Sequence, residues 1–173
     1  MTGKPRRLTR WILEALLIVG IVLVVQAWHK RDAVSGRLPT FSAVLADGGE
    51  ITSGSWRAGH PGRATALYFW AEWCPICRLM EGNVDSLDKG WPVLTVAMQS
   101  GNARQVARHL AERGLAWPTA IDADGAISRR FGLHGVPAFV VVDPHGEIRF
   151  VEIGYTSGIG LRLRLWWAEH IGW

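Results

Sequence analysis

Cysteine is scarce in this chain of 173 residues. There are two, Cys74 and Cys77. A disulfide framework that staples a small secreted domain needs more of them, closing longer loops, because the gain comes from constraining the unfolded chain. A four-residue loop gains little that way. Two cysteines also fall short of a structural zinc site, which takes four ligands, or a catalytic one, which takes three plus water. An isolated pair this close in sequence points instead to redox chemistry.

Charge of one sign is equally lacking over most of the chain. The net charge of +4 comes from the N-terminal segment, where Lys4, Arg6, Arg7, Arg10, Lys30 and Arg31 lie. From Asp32 onward 13 basic residues meet 14 acidic ones, a net of −1. A nucleic-acid surface needs clustered Lys and Arg on the folded part, so no nucleic-acid partner is expected. Internal repeats and low-complexity tracts are absent too. The six histidines, His29, His60, His109, His134, His145 and His170, are scattered and read as surface residues.

What the sequence does contain begins with an apolar run, Trp11 to Trp28, interrupted only by Glu14 and Gln26. As a helix it would be about 27 Å long, close to the thickness of a bilayer's hydrocarbon core. Tryptophans mark both ends, where indoles favour the interface, and basic residues are biased four to two toward the N-terminal side. The run reads as a transmembrane anchor with its N-terminus cytoplasmic; a cleaved signal peptide is the alternative. Either way the remainder is exported, in a bacterium to the periplasm, where disulfide exchange with secreted proteins is chemically sensible. The chain therefore divides into a basic tail (1–10), an anchor contacting lipid (11–28), a linker (29–40) and one folded domain (41–173).

Within that domain, Asp47-Gly48-Gly49 between apolar flanks signals a hairpin over Phe41 to Ile51. Residues 54–63 look loop-like, with Pro61 and several glycines. Ala64 to Trp70 and Pro92 to Met98 are continuous apolar runs, as in buried strands. Helical spacing starts at Ile76 and continues through Leu79, Met80, Val84 and Leu87. Asn102 caps a helix that runs to about Arg113, and Gly114 stops it. A short helix over Ala126 to Phe131 follows a turn at 122–125. Ala138 to Val142 and Glu147 to Ile153 make an antiparallel hairpin about the turn Asp143-Pro144-His145-Gly146. A last helix spans about Ile159 to Trp167. Trp166, Trp167 and Trp173 read most simply as helix packing. The order is βαβα then ββα, with a hairpin added in front: a mixed sheet with helices on both faces.

Cys74 falls where the first buried strand turns into a helix. Unpaired N–H groups and the positive end of the helix dipole favour a thiolate there. Cys77, one turn on, suits a resolving thiol. Pro75 fits the first helical turn, where its missing N–H costs little. Pro75 and Ile76 bring no ionisable group, so the thiolate must lean on backbone. Trp73 would shield the pair, and Arg78 would point to solvent.

The segment Phe69-Trp70-Ala71-Glu72-Trp73-Cys74-Pro75-Ile76-Cys77-Arg78 resembles the active-site segment of thioredoxins. Gly135-Val136-Pro137-Ala138 resembles the cis-proline loop of that fold, and residues 141–148 the hairpin after it. The anchor and the added hairpin are most similar to the TlpA/ResA branch of extracytoplasmic thiol–disulfide oxidoreductases, and within it to the suppressor-of-copper-sensitivity protein D type. The resemblance implies a thioredoxin-like α/β fold with an N-terminal β-hairpin addition, preceded by one transmembrane helix. It implies a protein-disulfide oxidoreductase that needs no cofactor beyond the Cys74–Cys77 pair and no metal. Its partners would be exported protein disulfides or dithiols and a membrane electron donor. Val136 and Pro137 would form a cis peptide facing the disulfide, with the Val136 backbone pairing to an extended substrate. The chain departs from the family where thioredoxins carry a buried Asp, here Tyr68. It departs again where related reductases carry a Glu, here Met80. Glu81 or Glu72 could stand in, although Glu81 reads more simply as a solvated helix residue. A different class of function would be copper binding through Cys74, Cys77 and a remote histidine such as His134.

Overall fold

The computed structural model describes residues 10, 11, 13, 14, 16–18, 20, 21 and 34–171. The chain forms two units, Met1–Asp32 and Ala33–Trp173. The described residues of the first are helical between Arg10 and Ile21. Residues 12, 15, 19 and 22–28 of the expected anchor lie outside the described residues, as does Trp173. No helix among the described residues is long and apolar enough to cross a membrane.

The second unit is built on a six-stranded sheet. Its strands are β1 (Gly36–Arg37), β4 (Thr65–Trp70), β5 (Val93–Met98), β6 (Thr119–Asp122), β7 (Ala138–Val142) and β8 (Glu147–Ile153), in the order β1-β8-β7-β4-β5-β6. A separate hairpin pairs β2 (Ser42–Val44) with β3 (Glu50–Thr52). The helices are α1 (Ser53–Ala58), α2 (Pro75–Asp88), α3 (Ala103–Glu112), α4 (Ala126–Arg130) and α5 (Gly158–His170).

β4 sits in the middle, parallel to β5 and antiparallel to β7. Every residue of β4, β5 and β7 is buried, which is why these strands read as unbroken apolar runs. Alternation then sorts their side chains. Tyr68, Trp70, Phe139 and Val141 join Met80, Val84 and Leu87 of α2, Val106 and Leu110 of α3, and Leu161, Leu165 and Ala168 of α5. Leu67, Phe69, Val140 and Val142 face the other way, onto Phe41, Ile127, Phe131 and Leu133. The two apolar layers fix the height at which β4 ends and α2 begins.

Three elements escape the sequence pattern. β6 has no apolar run; Thr119, Ala120, Ile121 and Asp122 become a strand by pairing with Thr95 to Met98. The order is therefore βαβαβ before α4 and the closing ββα. Residues 54–58, expected as loop, belong to α1 because Thr52 and Ser55 make a reciprocal capping box. The start of the domain also reaches into the expected linker: Gly36 and Arg37 pair with Ile148 and Glu147.

The β7–β8 turn is held by Asp143, which is buried. Its carboxylate accepts the backbone N–H groups of His145 and Glu147 at 2.8 and 2.9 Å and is bonded by Arg149 at 2.7 Å. Burial alone would raise its pKa; the two N–H groups and the Arg149 guanidinium outweigh that and hold it below the usual carboxylate value. A depressed folded-state pKa contributes stability above the unfolded value of about 3.9, lost as pH falls through the folded value. Asp143→Asn should therefore cost about 1–3 kcal/mol at neutral pH, and its deficit should shrink on acidification, as read by denaturant melts at pH 7 and in the acid range.

Candidate active site

Cys74 is the N-cap of α2, with extended backbone (φ −91°, ψ 107°). Its Sγ accepts the backbone N–H of Cys77 at 3.1 Å, as a capping serine oxygen would. Pro75 is the first helical residue. Cys74 and Cys77 form a disulfide with Cα atoms 5.3 Å apart. Both cysteines are 3% exposed, so in this state Cys77 is no more sheltered than Cys74. The Val136–Pro137 peptide is cis, and the Val136 carbonyl oxygen lies 3.7 Å from Cys74 Sγ. Two segments 62 residues apart thus meet at one sulfur.

Trp73 and Ile76 flank the disulfide and are exposed, Trp73 by 57%. The Trp73 indole N–H donates to the Gln99 carbonyl at 3.2 Å. Arg78 is exposed, as expected, with a 3.5 Å contact to the Glu72 carbonyl.

Behind Cys77 lies a small pocket lined by Tyr68, Trp70, Glu81, His109 and Trp117, among others. Tyr68, where thioredoxins carry an acid, donates its hydroxyl to the Cys77 carbonyl at 3.3 Å. Burial first, and then the Glu81 carboxylate, push its pKa well above the ordinary phenol value, so it stays neutral. Glu81 is not a solvated helix residue. Its side chain is 16% exposed and pairs with both Nε and a terminal nitrogen of Arg113, at 3.1 and 2.6 Å. His109 is not a plain surface residue either: its side chain is 13% exposed, it stacks on Trp70, and its Nδ1 is 3.9 Å from Glu72. Trp70 is fixed from behind, its indole donating to Thr95, whose hydroxyl bonds Thr119 at 2.7 Å. Sequence reasoning missed Gln99, Ser100, His109 and Arg113. They follow Cys77 by 22 to 36 positions, and nothing in their local pattern marks them.

The three-ligand copper set does not form. His134 is exposed, and among the described residues no three His, Cys, Asp or Glu side chains converge. Trp166 is 47% exposed rather than packed away, whereas Trp167 meets Phe150 edge-on at 5.3 Å between ring centroids.

In this chain a disulfide at a helix start thus stands beside a cis-proline loop. The family model for redoxin matches residues 33–159. The chain belongs to the redoxin family. It is similar to a thioredoxin-like protein of Haemophilus influenzae, 35% identical over 111 residues, which are 64% of this chain and 66% of that one. It is also similar to the thiol:disulfide interchange protein DsbE of Escherichia coli, 30% identical over 110 residues, 62% of this chain and 56% of DsbE. The matched stretch thus spans about two thirds of the first relative and just over half of the second. Among solved structures, a thiol:disulfide interchange protein of the thioredoxin family from Chlorobium tepidum aligns with a TM-score of 0.66 and 25% identity, covering 79% of this chain and 98% of that one. The fold is thioredoxin-like, and the protein is a thiol–disulfide oxidoreductase.

The neutral Tyr68 gives a titration with a definite sign. A phenol whose folded-state pKa is raised contributes stability that is whole below the unfolded value of about 10 and is lost as pH rises toward the folded value. Spectrophotometric titration should show one phenol ionising late, and Tyr68→Phe should remove that late fraction. The same variant loses the bond to Cys77 and should cost about 1 kcal/mol near neutral pH.

Proposed function

We propose that the domain works outside the cytoplasm as a reductant of protein disulfides, with Cys74 as the attacking sulfur and Cys77 as the resolving one. One observation carries the assignment: the Cys77 N–H points at Cys74 Sγ from the first turn of α2. In the reduced protein that donor and the helix dipole favour negative charge on Cys74 and lower its pKa below the free thiol's value of about 8.5.

The Cys74 thiolate attacks a substrate disulfide, forming a mixed disulfide and expelling one substrate thiolate. Cys77, deprotonated, then attacks Cys74 Sγ. The second substrate thiolate leaves, and the Cys74–Cys77 disulfide forms. Two electrons have moved to the substrate; a membrane electron donor supplies two more to reduce the Cys74–Cys77 disulfide again. Direction depends on the reduction potential, and the reductant reading rests on the family resemblance. Trp73, Pro75 and Ile76 form the exposed approach to the sulfurs, and the Val136 backbone, next to Cys74, supports an extended substrate segment laid down like an added strand. Anchoring by the segment Trp11–Trp28 would hold the domain against the outer face of a bacterial inner membrane, within reach of both its donor and exported substrates. The basic residues before that segment support this orientation.

Cys77→Ala should accumulate mixed disulfides through Cys74 in cells, visible as thiol-sensitive bands on non-reducing gels; recovering none would count against the enzyme's action on proteins. A redox equilibrium against glutathione separates the directions. A potential near −120 mV, like that of a dedicated disulfide donor, would reject the reductant role.

A further inference from the structure

The turn that delivers Cys74 is tied to a corner of unusual backbone. After β5 the chain bends at Gln99, whose φ of 48° is the only positive value at a non-glycine position among the described residues. An L-residue is strained there, and such outliers persist only where surrounding contacts over-determine them. The contacts are specific. The Gln99 N–H donates to the Asp122 carbonyl at 2.8 Å. Its carbonyl takes the Trp73 indole N–H at 3.2 Å. The next residue, Ser100, is 6% exposed. Its hydroxyl donates to the Met98 carbonyl at 3.0 Å and accepts the backbone N–H of Glu72 at 3.0 Å.

Glu72 and Trp73 are the middle residues of the turn closed by the Cys74 N–H on the Ala71 carbonyl at 3.1 Å. That turn sets the direction in which the chain enters α2, and so whether Cys74 Sγ meets the Cys77 N–H. The corner is itself held from the far side. Asp122 is buried, and its carboxylate caps α4 through the backbone N–H groups of Ile127 and Ser128, each at 2.9 Å.

We infer that Gln99 and Ser100 are positioning residues for Cys74. The left-handed corner holds the Glu72–Trp73 segment at two successive points, and so keeps the cysteine sulfur on the helix N–H that activates it. The inference rests on the reading of Cys74 as the activated sulfur.

The test uses the reduced full-length chain and measures Cys74 alkylation by iodoacetamide against pH, beside a thermal melt. Alkylation needs no substrate disulfide, so it is independent of turnover. Ser100→Ala and Gln99→Val remove the hydroxyl and disfavour the left-handed backbone. Each should move the midpoint upward and slow alkylation at pH 6 by about threefold or more. Ser100→Thr keeps a hydroxyl, and Gln99→Gly keeps the carbonyl and accepts positive φ; both should stay near the parent curve. Should Gln99→Val not fold, Trp73→Phe removes the hydrogen bond to the Gln99 carbonyl from an exposed position and should shift the curve alike. Variants that lower the melting temperature while their alkylation curves superimpose on the parent's would overturn the inference. A parent curve like that of free cysteine would instead overturn the reading of Cys74, and this inference with it. Absence of disulfide turnover, with the shifts intact, would count against the enzymatic direction alone.

Discussion

One hydrogen bond organises this protein's chemistry: the Cys77 N–H on Cys74 Sγ at the start of α2. A helix leaves its first N–H groups unpaired, and here sulfur takes the place of the usual capping oxygen. In the disulfide state the bond helps seat Cys74 as N-cap. In the mechanism we propose, the same donor stabilises negative charge on that sulfur once the pair is reduced. On that proposal, capping and activation are one interaction in two oxidation states.

Most of the surrounding structure serves to aim that bond. β4, buried on both faces, sets where the strand stops. Trp70 at its end is locked through Thr95 to Thr119 on β6, so the edge strand that lacks an apolar pattern still bears on the site. The Gln99–Ser100 corner grips Glu72 and Trp73. On the opposite side Val136 and the cis Pro137 reach Cys74 from the start of β7. The added β2–β3 hairpin lies on the β6 side, through the pairing of Leu45 with Ala120.

The ground behind Cys77 departs from the family pattern the sequence suggested. A neutral tyrosine occupies the place of the buried acid, and a carboxylate one position late, Glu81, is drawn in by Arg113. The sequence names Glu81 as a candidate stand-in but favours a solvated residue, because its helical position alone is compatible with solvent. Its setting comes from Arg113, the C-cap of α3, 32 residues away. The partner that decides its charge environment is visible only once the fold brings the two together.

The sequence by itself determined the elements whose pattern is local: the buried strands β4, β5 and β7, the capped helix at Asn102, the turn at Asp143, and the Cys-x-x-Cys step from strand to helix. Periodicity and capping act over a few residues, so they are written in adjacent letters. The tertiary structure alone decided β6, whose ladder comes from Thr95 to Met98. It likewise decided the burial of Glu81 and His109 and the strained backbone of Gln99. Each of these depends on a partner tens of residues distant, and no local preference records what packing and pairing will bring beside it.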